Sequence, residues 1–468
     1  MRRPLALLLA LAAVLAPAAA LVARGAGEQT VYLPLLARPG VAGPIASYLG
    51  GPGDDAVSAA DFDAAGRLLL AGRWAPGLIG GVTPADLPGG AGAVVLLGPA
   101  GEALAAARVG GTVRDMEASA AGAVAACGDM GVVLLSADLR AVRWRAAPGD
   151  VARCAADGAG NVAALVGRTI HRFGPDGAPA GAVAVEGSAV SDVALDGASG
   201  LVFAAGYTQK RADLKVAFLR AYGPDGALRW AAYDFAADAV VAAGLTADSE
   251  GRRVAVGADG KLYFAGWTDG GNAIYGRAPQ DLARRLGPAE LASFDGYNTP
   301  FNLSGAKSLA WYGRFEPDSG ALLRGQWLLT RLGDGKGNSI GVGAIDAAAD
   351  GTVAIAGGSA ATIAGRAGMQ LAGVELGAYE LDEPYLLVVS PDFSARRLWT
   401  AFAAPGASAG GSPATAVAIR GGAVALGATL NPRATAPPRG LVTTAGAPQP
   451  ANASPGAPEG YFALLRTP

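Results

Sequence analysis

The chain has 468 residues, with 37 basic against 39 acidic side chains and a formal net charge of -2. That balance carries no electrostatic footprint for nucleic acid or an anionic membrane surface. Two cysteines are too few for a metal cage, no cofactor-binding fingerprint stands in a strand-to-helix context, and 71 glycines with 30 prolines make the chain rich in turns.

At the N-terminus, Arg2 and Arg3 precede an apolar run from Leu5 to Val14 and then Ala18-Ala19-Ala20, the charged, hydrophobic and small-residue order of a secretory signal. A signal peptide over residues 1–20, a flexible tether over 21–43 and an extracellular setting are expected, with an uncleaved anchor as the competing reading. No later segment has the length of a membrane span, so none is expected once the signal is removed.

From residue 44 to 468 one pattern recurs, and a single body is expected there. Its marker is a short apolar run ending in glycine: RLLLAG at Gly72, AVAACG at Gly128, VAALVG at Gly167, LVFAAG at Gly206, KLYFAG at Gly266, TVAIAG at Gly357 and AVALG at Gly427. Runs this short, bounded by Gly, Pro and Asp, read as strands. A turn such as Asp63 to Gly66 or Asp350-Gly351 and a first strand come before most markers. A third strand, a turn such as Gly223-Pro224-Asp225-Gly226 and a fourth strand come after. The chain ends at Tyr461–Pro468 on a third strand without a fourth, and Ile45–Gly51 is a fourth strand with no unit before it. Unpaired strand edges leave backbone donors unsatisfied, so the two orphans should pair and close a ring. The expected fold is all-β: a seven-bladed β-propeller of four-stranded antiparallel blades, closed by pairing of the N-terminal strand with the C-terminal strands.

The segment Ile45–Trp74, with Tyr48-Leu49-Gly50-Gly51, Gly53-Asp54-Asp55 and Asp63-Ala64-Ala65-Gly66, resembles the bacterial SBBP-type β-propeller repeat. Gly206-Tyr207-Thr208, Gly266-Trp267-Thr268 and Ala217-Phe218-Leu219-Arg220 fit its later positions, whereas the units at Gly128 and Gly167 are degenerate. The resemblance implies a fold and an extracellular setting, and carries no single activity.

Unequal marker spacing puts insertions at 270–308, 358–384 and 431–460, each between a second and a third strand. In an up-and-down sheet these loops leave by the same face as the blade-to-blade connections, so one face should bind a ligand. Tyr275, Arg277, Tyr297 and Asn298 in the first insertion are candidate contacts for an extracellular glycan, peptide or protein, and a short surface helix is expected over Pro279–Ser293. Glu380 and Asp382 in the acidic second insertion are further candidates, and would also be the acids of a carboxylate-based glycosidase or lyase, the alternative function. A purely structural cell-envelope protein is the third reading. The third insertion reads as a flexible lid or disordered strap.

The single histidine, His171, sits mid-strand and supports no nucleophilic triad. Asp61-Phe62-Asp63 lacks the closing glutamate of a calcium loop and is read as a turn. Repeat alignment puts Cys127 on a second strand and Cys154 on the first strand of the next unit, leaving open a bridge or two buried thiols. No catalytic residue and no metal site is assigned, and a monomer is expected.

Overall fold

A computed structural model describes residues 43–292, 308–334, 336–433 and 438–467. The expected signal and nearly all of the tether, together with Tyr297 and Asn298, lie outside the described residues.

Seven antiparallel sheets are arranged as a β-propeller, six with four strands and the first with a fifth, Ala85–Gly89, added in parallel to Ala103–Gly110. The inner strands are Ala56–Phe62, Val113–Ala118, Arg153–Ala156, Ala189–Leu195, Ser249–Val256, Ile340–Ala347 and Ala414–Arg420, numbered here as blades 1 to 7. Each touches the next, and the seventh touches the first. Closure comes from Ile45–Tyr48, which pairs antiparallel with Glu459–Arg466 so that Ile45 faces Leu464 and Tyr48 faces Tyr461. The expected fold and its closure are what the structure shows.

Between blades the core is continuous and apolar, because the middle strands are buried on both faces, as in Leu68–Ala71, Val162–Leu165 and Val353–Ala356. Between blades 4 and 5 it is aromatic: Tyr233, Phe264, Tyr275 and Trp311 pack ring against ring, with Tyr275 and Trp311 stacked at 5.3 Å. The Asp-x-x-Gly turns close through their own side chains. Asp63 Oδ1 accepts from the N–H groups of Ala65 and Arg67 at 2.9 and 2.8 Å, and Asp157 Oδ1 does the same for Ala159 and Asn161. Gly66 and Gly160 then take a positive φ that other residues resist.

Six of the seven inner strands carry a bulge near their start, and the extra residue is Ser58, Arg114, Ser191, Arg252, Gly343 or Thr415. A bulge bends its strand and re-aims the extra side chain. Here it acts at one level of the ring, close to the face where the inner strands begin.

A disulfide joins Cys127 on the second strand of blade 2 to Cys154 on the inner strand of blade 3, with Cα atoms 6.3 Å apart. It ties together the two blades with the shortest connections.

Candidate functional site

The inner strands of all seven blades surround an axial cavity of about 140 Å³. Its throat is acidic, with Asp61, Asp115, Glu117, Asp192 and Asp346 against Arg153 and Arg253. Four of the five carboxylates make the same pair of bonds: one oxygen accepts from the next N–H of its own strand, the other from an inner-strand N–H of a neighbouring blade. Asp61 binds Phe62 and Ala118, Asp115 binds Met116 and Cys154, Asp192 binds Val193 and Val254, and Asp346 binds Ala347 and Ile419. Glu117 reaches the Ala156 N–H at 2.8 Å. Blade 5 supplies Arg253 instead, whose Nε donates to the Gly343 carbonyl of blade 6, and the Thr415 hydroxyl of blade 7 donates to the Val57 carbonyl of blade 1 at 2.8 Å. These side chains stitch blade to blade.

Crowding Asp61, Asp115, Glu117 and Asp346 away from bulk water raises them. Desolvation, then repulsion from Asp346, pushes Asp61 up to about 7, and desolvation brings Asp346 to about 6. Glu117 is raised well above the usual carboxylate range by burial and then by Asp61. In Asp61, Glu117 and Asp346 burial outweighs the backbone N–H bonds that favour the ionised form.

Toward the face from which the inner strands start, the channel opens into a mouth of about 400 Å³. Four arginines from four blades line it: Arg73, Arg114, Arg153 and Arg253. Thr415, Thr429, Asn431 and Pro458 form the wall from blade 7. Asn431 and Pro458 are also the two ends of the third insertion, so the loop and the mouth belong to one surface. Arg73 and Arg114 form ion pairs with exposed rim acids, Asp54 and Asp150, and Arg114 also donates to the Val151 carbonyl at 3.4 Å. Arg153 stands 3.9 Å from Asp115.

The insertions themselves are spent differently from the sequence reading. Tyr275 is fully buried in the blade 4–5 aromatic core, and its hydroxyl donates to the Glu250 carbonyl at 2.8 Å; it anchors the loop and offers no ring to a ligand. Arg277 is half-buried and bonds within its own loop, to the Ala283 carbonyl. In place of the expected helix, Arg277–Ala278 pairs with Asp281–Arg285 as a hairpin turning at Pro279 and Gln280, with Pro288 closing off any later helical turn. Residues 288–292 continue along the open edge of the outermost strand of blade 5, where Ala292 and Gly325 exchange backbone bonds with Gly325 and Glu290. The third insertion does the same for the closing strand. Thr444 N–H donates to the Ala46 carbonyl and Tyr48 N–H to the Gln449 carbonyl, so its described part is a bound strap and no loose lid. Both loops shield edges that would otherwise recruit another chain.

Glu380 lies where the second insertion, the blade 6–7 connection and the third insertion meet. It accepts from Ser408 and Arg433, and from Arg439 at 3.1 Å, and the Ser408 hydrogen bond, the first of these influences, holds it below the usual carboxylate range. Asp382 stands beside this clasp at a positive φ of 65°, its carboxyl raised by burial. Neither lines the channel, its mouth or the cavity within the second insertion. Glu383 is buried in a two-pronged pair with Arg366. The structure thus brings Glu380 into a clasp and leaves Tyr275 and Arg277 in another blade. The mouth arginines were missed because no motif links them; a basic residue recurring near the start of successive first strands, as at Arg114, Arg153 and Arg253, was the available signal.

Fold and channel together define a β-propeller with a polar axial channel. No protein-family model matches the chain, and no curated protein matches it in sequence. One chain of a solved structure described as "Crystal Structure of Mitotic Checkpoint Complex" aligns with 94% of this chain and 100% of its own length at 10% identity and a TM-score of 0.47, a likeness of backbone alone. Among the described residues no helix is long and apolar enough to cross a membrane, and no group of three or more His, Cys, Asp or Glu is placed to hold a metal.

Proposed function

We propose that this chain is a secreted, non-enzymatic propeller of the SBBP kind that binds an extracellular glycan, peptide or protein on the face bearing the channel mouth and the second and third insertions. The observation that supports it most is the continuity of that face: the ends of the third insertion line the mouth, and Glu380 clasps the second and third insertions together beside it. A rigid ring with a built, polar concavity on one side suits recognition. A carboxylate-based hydrolase suits it less, since Glu380 is committed to three donors and the throat acids to backbone N–H groups.

Glycan and peptide arrays probed with the full chain test the proposal. A ligand captured by the wild type and lost in Glu380→Gln/Arg433→Ala, with the folded β structure retained by circular dichroism, is expected. Turnover of a polysaccharide, or capture that survives every change on this face, would overturn it.

A further inference from the structure

The mouth concentrates positive charge in a chain that is otherwise balanced. Four guanidinium groups converge on one cavity of about 400 Å³, each from a different blade, and the bulge on the inner strand of blade 2 is what places Arg114 there. Arg73 and Arg114 have weak internal ion-pair partners. Asp54 and Asp150 are more than half exposed, and an ion pair exposed to that degree contributes little and yields readily to a better acceptor. Deeper in, Arg153 and Arg253 repel each other, and burial with that repulsion brings Arg253 down to about 10. An anion between them would relieve the repulsion. Guanidinium forks match planar carboxylates in two-pronged geometry.

The lining also says which carrier fits. It holds no aromatic side chain on which a sugar ring could stack, and Ser58, Thr415, Thr429 and Asn431 are already bonded to backbone groups of the ring, which leaves the guanidinium groups to recognise a ligand. Resting on the binding role proposed above, and deepening it, we infer that the mouth takes an acidic peptide segment of a protein partner, with a carboxylate seated among Arg73, Arg114, Arg153 and Arg253.

The test is titration calorimetry on the full chain with a hexaglutamate peptide, its amidated form and a hexaglutamine control, at low and at moderate salt. Hexaglutamate should bind with an affinity that falls as salt rises, and hexaglutamine should not bind. Equal affinity of the amidated peptide assigns the contact to side-chain carboxylates and keeps the inference; loss on amidation would assign it to the chain terminus and overturn the acidic segment. Arg73→Gln/Arg114→Gln should weaken binding at least tenfold while melting stays within a degree or two, and Arg284→Gln, on the outer hairpin, should leave it unchanged. No binding of hexaglutamate, equal binding of hexaglutamine, indifference to the double substitution, or preference for an oligouronate of equal charge would overturn the inference. Array capture that depends on Glu380 and Arg433 but not on the arginines would overturn it while sparing the broader role; no capture at all would remove both.

Discussion

The throat and the mouth of the channel share six of the seven inner strands and lie within a few residues of one another, yet they use charge in opposite ways. In the throat, short acids point across the gap between blades and are consumed by backbone N–H groups, as Asp61 is by Phe62 and Ala118. At the mouth, two of the four arginines, Arg73 and Arg114, form their ion pairs with exposed rim acids. The difference teaches that charge in a propeller channel is not by itself a site. What separates a stitch from a contact is whether the polar atoms already have buried partners.

That contrast can be broken most severely in the throat. Asp61→Ala combined with Asp346→Ala removes the acceptors of four backbone N–H groups, and should cost about 4–12 kcal/mol in denaturant unfolding, at roughly 1–3 kcal/mol per buried donor left unmatched. Unchanged stability would mean the carboxylates do not stitch. Reducing the Cys127–Cys154 bridge, which spans a separation of 27 residues, should cost about 3.5 kcal/mol by loop entropy, without touching the mouth.

A smaller effect follows from proton binding. Asp61 and Asp346 sit at about 7 and about 6 in the folded chain and near 3.8 when unfolded, so the folded state binds more protons in between. Their contribution is complete below about pH 4 and is lost as pH rises through 6 and 7. Melting temperature should therefore fall between pH 5 and pH 8, and the fall should be shallower in Asp61→Asn/Asp346→Asn. A rising profile over that range would contradict the assignment. Smallest of all, Arg114→Gln should shift stability by less than about 0.5 kcal/mol, since its acid partner lies on the exposed rim.

The ring was legible in the sequence because its signals are local and repeated: seven Gly-ended strands, Asp-x-x-Gly turns and complementary half-blades at the two ends. The channel chemistry was not. Asp61 and Asp63 look alike as text, two acids separated by one residue, but Asp61 lies within the inner strand and reaches across the channel, while Asp63 lies just past the strand's end and closes its own turn. Tyr275 looked like a loop aromatic, and only the packing of Trp311 and Tyr233 against it shows a core residue. The expected helix after Pro279 failed because leucines near helical spacing in a segment bounded by two prolines also fit an edge-covering hairpin. Which loops would be spent on covering blade edges depends on contacts distant in sequence, such as Gln449 with Tyr48.

The division of labour between the two ends of the channel is tested most directly by one set of melts: wild type, Asp61→Ala/Asp346→Ala and Arg73→Gln/Arg114→Gln, each with and without hexaglutamate. The acid variant should melt lower but still gain stability from the peptide, while the arginine variant should melt with the wild type and gain nothing. An arginine variant that is stabilised as strongly as the wild type, or an acid variant with an unaltered melt, would contradict it.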